Sequence, residues 1–169
     1  MGHYKSNLRD IEFNLFELLR RQDVLGAEPF PEFDEETARG ILDEVNRLAT
    51  GPLAASFAEA DRDPPEFDPA TGSVRIPEGL KKSFRALADA EWFRLDLPPE
   101  LGGSRAPRSL AWSVAELILG ANPAVCNKDP RMQQASAERA ILRNSDQRFI
   151  AKRLIDLPMA YMCHAGGSW

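Results

Sequence analysis

Cys163 and His164 are the one pair of neighbours in which a thiol nucleophile sits beside an imidazole base. Two adjacent residues cannot supply the several spaced ligands of a tetrahedral zinc site. An ordinary tail position is therefore the expected reading. A hydrolytic site of Cys163, His164 and a carboxylate is the sharper alternative. Asp61, Asp63, Glu66 and Asp68 have the spacing of a calcium loop at first sight, yet Pro64 and Pro65 fill its middle. The glycine turn and closing bidentate glutamate of such a loop are missing, so a solvated, turn-rich loop is expected. Glu12, Glu44 and Glu116 lie among apolar neighbours, where an acid or base could be tuned, but the sequence pairs none of them with a partner. They read as solvated helix faces. Trp92 and Trp112 could line an apolar channel or pack in the core, and the core is the expectation. The glycine-rich phosphate loops, H-E-x-x-H and G-x-S-x-G are all absent. No catalytic, cofactor-binding or metal-ligating residue is assigned.

Composition narrows the classes further. The 169 residues are 43% hydrophobic and 28% charged, as in an ordinary globular domain with enough chain to bury a core. A net charge of −5 argues against nucleic acid, whose phosphates need a basic face. No run approaches the roughly 18–20 apolar residues of a membrane span. Gly2 and Ser6 fit the loose myristoylation pattern, but no polybasic segment is present beside them to complete an anchor. Two cysteines are too few for a disulfide framework, which suits a reducing cytoplasm. Charge is unevenly spread: residues 1–125 hold 14 basic and 22 acidic side chains, net −8, while 126–169 hold 7 and 4, net +3. Both cysteines and three of the four methionines (Met132, Met159 and Met162) also fall in that last part.

Helices must position whatever the chain does. The first is expected over Leu8–Arg21, capped by Ser6 or Asn7, with Asp10 beside its positive end. Its apolar face would be Leu8, Ile11, Leu15, Leu18 and Leu19, widened by Phe13 and Phe16, and Gly26 with Pro29-Phe30-Pro31 would end it. A second begins after Asp34 and repeats Ala38, Ile41, Leu42, Val45, Leu48 and Ala49 at helical spacing. Gly51-Pro52 interrupts it, and Leu53–Ala60 resumes. Residues 61–79 read as a loop in which Ser73–Ile76 is extended. A third helix spans Glu78–Ala90, facing Leu80, Phe84, Leu87 and Ala88 inward. A fourth starts at Pro107, buries Leu110, Val114, Leu117 and Ile118, and stops at Gly120. Beyond Val125, residues 135–157 are helix-friendly, with Phe149, Ile150, Leu154 and Leu157 on one face.

These segments carry a resemblance. Tyr4-Lys5-Ser6-Asn7-Leu8-Arg9-Asp10-Ile11-Glu12-Phe13-Asn14-Leu15-Phe16-Glu17 is similar to the opening helix of one branch of the acyl-CoA dehydrogenases, which places an extra segment before the usual helical domain. Asp61-Arg62-Asp63-Pro64-Pro65-Glu66-Phe67-Asp68-Pro69 resembles that branch's acidic, proline-rich loop, and Val74–Ser83 resembles the segment on the loop's C-terminal side. Pro99-Glu100-Leu101-Gly102-Gly103 resembles its Gly-Gly turn, and Leu119-Gly120-Ala121-Asn122-Pro123-Ala124 the helix end beyond. The resemblance implies a mainly α fold: the N-terminal helical-bundle domain of the acyl-CoA dehydrogenase fold, truncated before the β-domain. Residues 1–33 would be the extra segment, 34–125 the helical domain, and 126–169 an unrelated, weakly helical tail from a frameshift or fusion. The family oxidises the Cα–Cβ bond of an acyl-CoA, a glutamate taking the α-proton while hydride passes to FAD. Its N-terminal helices pack beside the acyl chain and one side of the flavin. A β-domain and a C-terminal helical bundle that the resemblance does not reach supply most FAD contacts and the base. The expectation is a chain that retains no FAD and has no activity of its own. The alternative is a helical binding module for a full-length dehydrogenase subunit, acyl-CoA or another partner.

Overall fold

The structure is a computed structural model and describes residues 3–126. Cys163, His164, the three late methionines and the helix expected over 135–157 lie outside the described residues. Among the described residues the frame is helical, with one small hairpin. α1 covers Leu8–Glu12 and runs without a break into a wider π-helical turn over Phe13–Leu18. α2 covers Glu35–Leu48, and a second π-helical turn, Ala49–Leu53, continues directly from it. α3 spans Phe57–Arg62, α4 Glu78–Ala90, α5 Arg108–Ala121 and α6 Pro123–Cys126.

α2 and α5 form the centre. Ala38, Leu42 and Val45 of α2 pack in one cluster with Leu110, Val114, Leu117, Ile118 and Ala121 of α5. Leu80 and Leu87 of α4 and Ile11, Leu15 and Phe16 of the first helical segment join the same cluster. Asp34 caps α2 as expected, its carboxylate accepting the Thr37 amide at 2.7 Å. That hydrogen bond holds the Asp34 carboxyl below the usual carboxylate range.

The first helix departs from expectation. Neither Ser6 nor Asn7 caps it through a side chain: Ser6 donates to the Asn46 side chain and Asn7 to the Asp10 carboxylate. The amides of Asp10 and Ile11 are met instead by the Asn7 backbone carbonyl, at 3.1 and 3.3 Å. The helical segment ends at Leu18, and Arg20 adopts a left-handed conformation (φ 47°), so termination precedes Gly26. The wider turn changes the angular register. Leu18 and Leu19, expected inside, are 64% and 57% exposed, and Phe13 also faces out.

Pro52 does not break the chain's helical course. It has no amide hydrogen for a helical bond, and the backbone takes up the defect as the π-helical turn, with the Ala54 amide reaching back to Ala49 O. The expected extended stretch is real and has a partner: β1 (Glu66–Asp68) pairs antiparallel with β2 (Ser73–Arg75), setting Phe67 opposite Val74. α5 passes through Gly120, the expected stop, and ends one residue later. Asn122 is extended (φ −162°, ψ 91°), the conformation favoured in a residue that precedes proline, here Pro123. The Gly102-Gly103 turn needs its second glycine, since a Cβ at Gly103 would lie 2.2 Å from the Leu97 carbonyl oxygen.

Candidate functional site

Each group singled out in the sequence has a definite place. Glu12 does have a partner, contrary to the sequence reading: it lies 3.0 Å from Arg39. Arg39 also takes Glu35 at 2.8 Å and sits 4.3 Å above the Phe16 ring, clamping the first helical segment to α2. Hydrogen bonds to Glu35 and then Glu12 hold the Arg39 guanidinium charged, with its pKa raised. Glu44 and Glu116 are both exposed helix-face residues, as expected.

The acidic loop is arranged around an arginine. Arg75 donates to Asp63 at 2.5 and 3.0 Å and to Glu66 at 3.2 Å across the hairpin. Asp68 closes its own turn, accepting from the Ala70 amide and the Thr71 hydroxyl at 2.9 and 2.8 Å. Among the described residues no group of three or more His, Cys, Asp or Glu side chains could hold a metal ion.

Trp92 is half-buried against the core cluster, as expected. Trp112 is not in the core: it is 66% exposed on α5. The core stripe of that helix is filled by Leu110, Val114 and Leu117, leaving position 112 outside. Leu119, seven residues on and so on the same side of the helix, is 41% exposed. An outward helix face is ordinarily polar, so a tryptophan and a leucine there mark a candidate docking stripe.

Beneath that helix end lies a polar cluster that the sequence reading missed. Asn122, Ser56 and Ser83 are buried. Asn122 Nδ2 donates to Leu53 O and to Ser56 Oγ, both at 3.0 Å, and Asn122 Oδ1 accepts the Ala124 amide at 3.2 Å. Ser56 and Ser83 hydroxyls meet at 2.7 Å, and Ser83 donates to Pro52 O at 2.7 Å. The cluster ties α4 and the end of α5 to the π-helical turn around Pro52. The one available signal was an Asn-Pro step closing an apolar helix.

An open hollow against α2 is lined by Glu35, Glu36, Arg39, Gly40 and Asp43, and its three carboxylates would repel a pyrophosphate placed there. No described helix is long and apolar enough to cross a membrane.

No family model matches the chain. Two curated relatives do. The broad-specificity linear acyl-CoA dehydrogenase FadE5 of Mycobacterium tuberculosis is 51% identical over 125 residues, 74% of this chain and 20% of that protein. The 3-methylmercaptopropionyl-CoA dehydrogenase of Ruegeria pomeroyi is 26% identical over 119 residues, 70% of this chain and 20% of that protein. The chain thus spans about a fifth of the length of the curated relatives it matches. Over the residues that match, the chain belongs to the acyl-CoA dehydrogenase family, and its helices are those of that family's N-terminal domain.

Proposed function

We propose that this chain is the helical N-terminal part of an enzyme that oxidises acyl-CoA thioesters between Cα and Cβ with FAD, and that residues 3–126 do not catalyse the reaction alone. The 51% identity to an acyl-CoA dehydrogenase over 125 residues carries the first half. The second half is supported by the chemistry of the described side chains. Every carboxylate that the sequence suggested as an acid or base is solvated or paired with arginine, and a reaction of this kind needs a base and a flavin held together. On this reading residues 1–33 are the extra segment, 34–125 the helical domain and 126–169 sequence of other origin. The charge balance supports the last boundary: residues 1–125 carry a net −8 and 126–169 a net +3. The test is purification of the 169-residue chain, then flavin absorbance and acyl-CoA oxidation with an artificial electron acceptor. Absence of both is expected, and flavin-dependent turnover by the purified chain would overturn the proposal.

A second reading, a helical binding module, is favoured by Trp112 and Leu119 facing outward on α5. It requires a concentration-dependent complex with a full-length acyl-CoA dehydrogenase in sedimentation. Replacing Trp112 with Ser should abolish that complex, and a chain that sediments independently of the enzyme would argue against it.

A further inference from the structure

The last carbonyls of an α-helix have no partner within the helix and must be met from elsewhere. On α5 one of them, Ala121 O, is met by a side chain 118 residues away: His3 Nε2 donates to it at 3.1 Å. The His3 ring also stacks on Phe57, with centroids 4.1 Å apart and planes 17° from parallel. The next residue lies directly on the helix. The space that a Cβ on Gly120 would need is taken by the Tyr4 ring, whose nearest atoms would be 2.9, 3.0 and 3.3 Å away. Glu116 lies one turn before Gly120, and its charge adds to burial in raising the pKa of the Tyr4 hydroxyl. Ser6 completes the grip by donating to Asn46 on α2.

We propose that residues 3–7 form a detachable latch over the C-terminal end of α5, with the bare backbone at Gly120 as its seat. Seated, the latch meets the end of α5 at Gly120 and Ala121 and stacks on Phe57, the residue that follows Ser56 of the buried Asn122–Ser56–Ser83 cluster. It also forms one rim of the Trp112–Leu119 stripe, because Tyr4 rests on the last turns of the same helix, beside Glu116 and Gly120. Released, it would open that end of the bundle while leaving the α2–α5 contact intact. The inference rests on the contacts of His3, Tyr4 and Gly120 and not on the acyl-CoA reading.

Glycine weakens a helix relative to alanine, so Gly120→Ala by propensity alone would make the last turn of α5 firmer. Through the latch it does the reverse, by displacing Tyr4. Hydrogen exchange on the full 169-residue chain reads the difference at the amides of residues 118–122. In the parent chain Gly120→Ala should speed exchange there about tenfold while the middle of α2 is unchanged, the signature of a local opening. In a Tyr4→Ala chain, where the seat is already empty, the same Gly120→Ala change should slow it. His3→Gln, which keeps a donor, should exchange more slowly than His3→Ala. Slower exchange from Gly120→Ala in both backgrounds would overturn the latch, as would a uniform change across all helices.

Discussion

Replacing Asn122 by Ala should cost about 3 kcal/mol of stability, a large part of what a domain of this size possesses. The figure comes from three buried hydrogen bonds lost together. Asn122 donates to Leu53 O and Ser56 Oγ at 3.0 Å and accepts the Ala124 amide at 3.2 Å. Each such bond contributes roughly 1 kcal/mol net, and groups left unsatisfied in a buried place raise the cost. Asn122 is fully buried, so water cannot take over as partner without opening the helix end. Urea denaturation of the parent chain and of Asn122→Ala, compared at equal slopes, gives the number directly. A double-mutant cycle with Ser56→Ala should show coupling of about 0.5–3 kcal/mol, as expected for neighbours in one network. Asn122→Asp adds a test of sign. Its carboxylate would face Leu53 O, so it should be least stable when ionised and recover as pH falls and it regains a donor. A loss below about 1 kcal/mol for Asn122→Ala, with no coupling to Ser56, would refute the view that this cluster holds the helix ends together.

Gly103→Ala should destabilise by about 1–3 kcal/mol, the usual cost of forcing an atom into filled space, since its Cβ would meet the Leu97 carbonyl at 2.2 Å. Gly40→Ala, where a Cβ meets nothing within 4 Å, serves as the control in the same denaturation series. Arg39→Ala should cost about 1 kcal/mol, discounted for its solvent exposure, and the loss should shrink in high salt; a double-mutant cycle with Glu12→Ala measures the ionic share. Tyr4 is held above its ordinary pKa by burial and by Glu116. Its neutral form therefore supports the fold fully below about pH 10, the unfolded value, and that support is lost as pH rises through the higher folded value. Alkaline denaturation of Tyr4→Phe should lack this component, and identical alkaline curves for the two chains would rule it out. Asp34 works in the opposite sense. Its folded pKa is lowered by the Thr37 amide, so the capped α2 should weaken as pH falls through that value, and Asp34→Ala should be less stable at neutral pH and flatter in acid.

Local periodicity made much of the helical frame legible. Ala38, Leu42, Val45 and Ala49 recur at helical spacing and are buried, and Leu80, Leu87 and Ala88 do the same in α4. The Asp34 cap was equally readable, because its carboxylate needs an amide three residues away in the same chain. The errors fall where a different local geometry or a competing neighbour decides. Leu18 and Leu19 have the right spacing, but a π-helical turn shifts the register and leaves them outside. Ser6 and Asn7 have the right chemistry for capping, but Asn46 and Asp10 offer them competing acceptors. Trp112 is as apolar as its buried neighbours and stands outward because Leu110, Val114 and Leu117 already fill the inner face of α5.

The sequence by itself determined the mainly helical class and the positions of the main helices, since these depend on patterns that repeat within a few turns of one chain. The family was carried by the resemblance of particular segments. Tertiary structure alone decided that Glu12 is bound by Arg39, that Asp63 and Glu66 share Arg75, and that Asn122 reaches Leu53 and Ser56. It alone brought His3 to Ala121 and laid Tyr4 on Gly120. Such contacts join residues far apart in the chain, so their geometry depends on how the helices pack, and the spacing of any one segment carries no record of it.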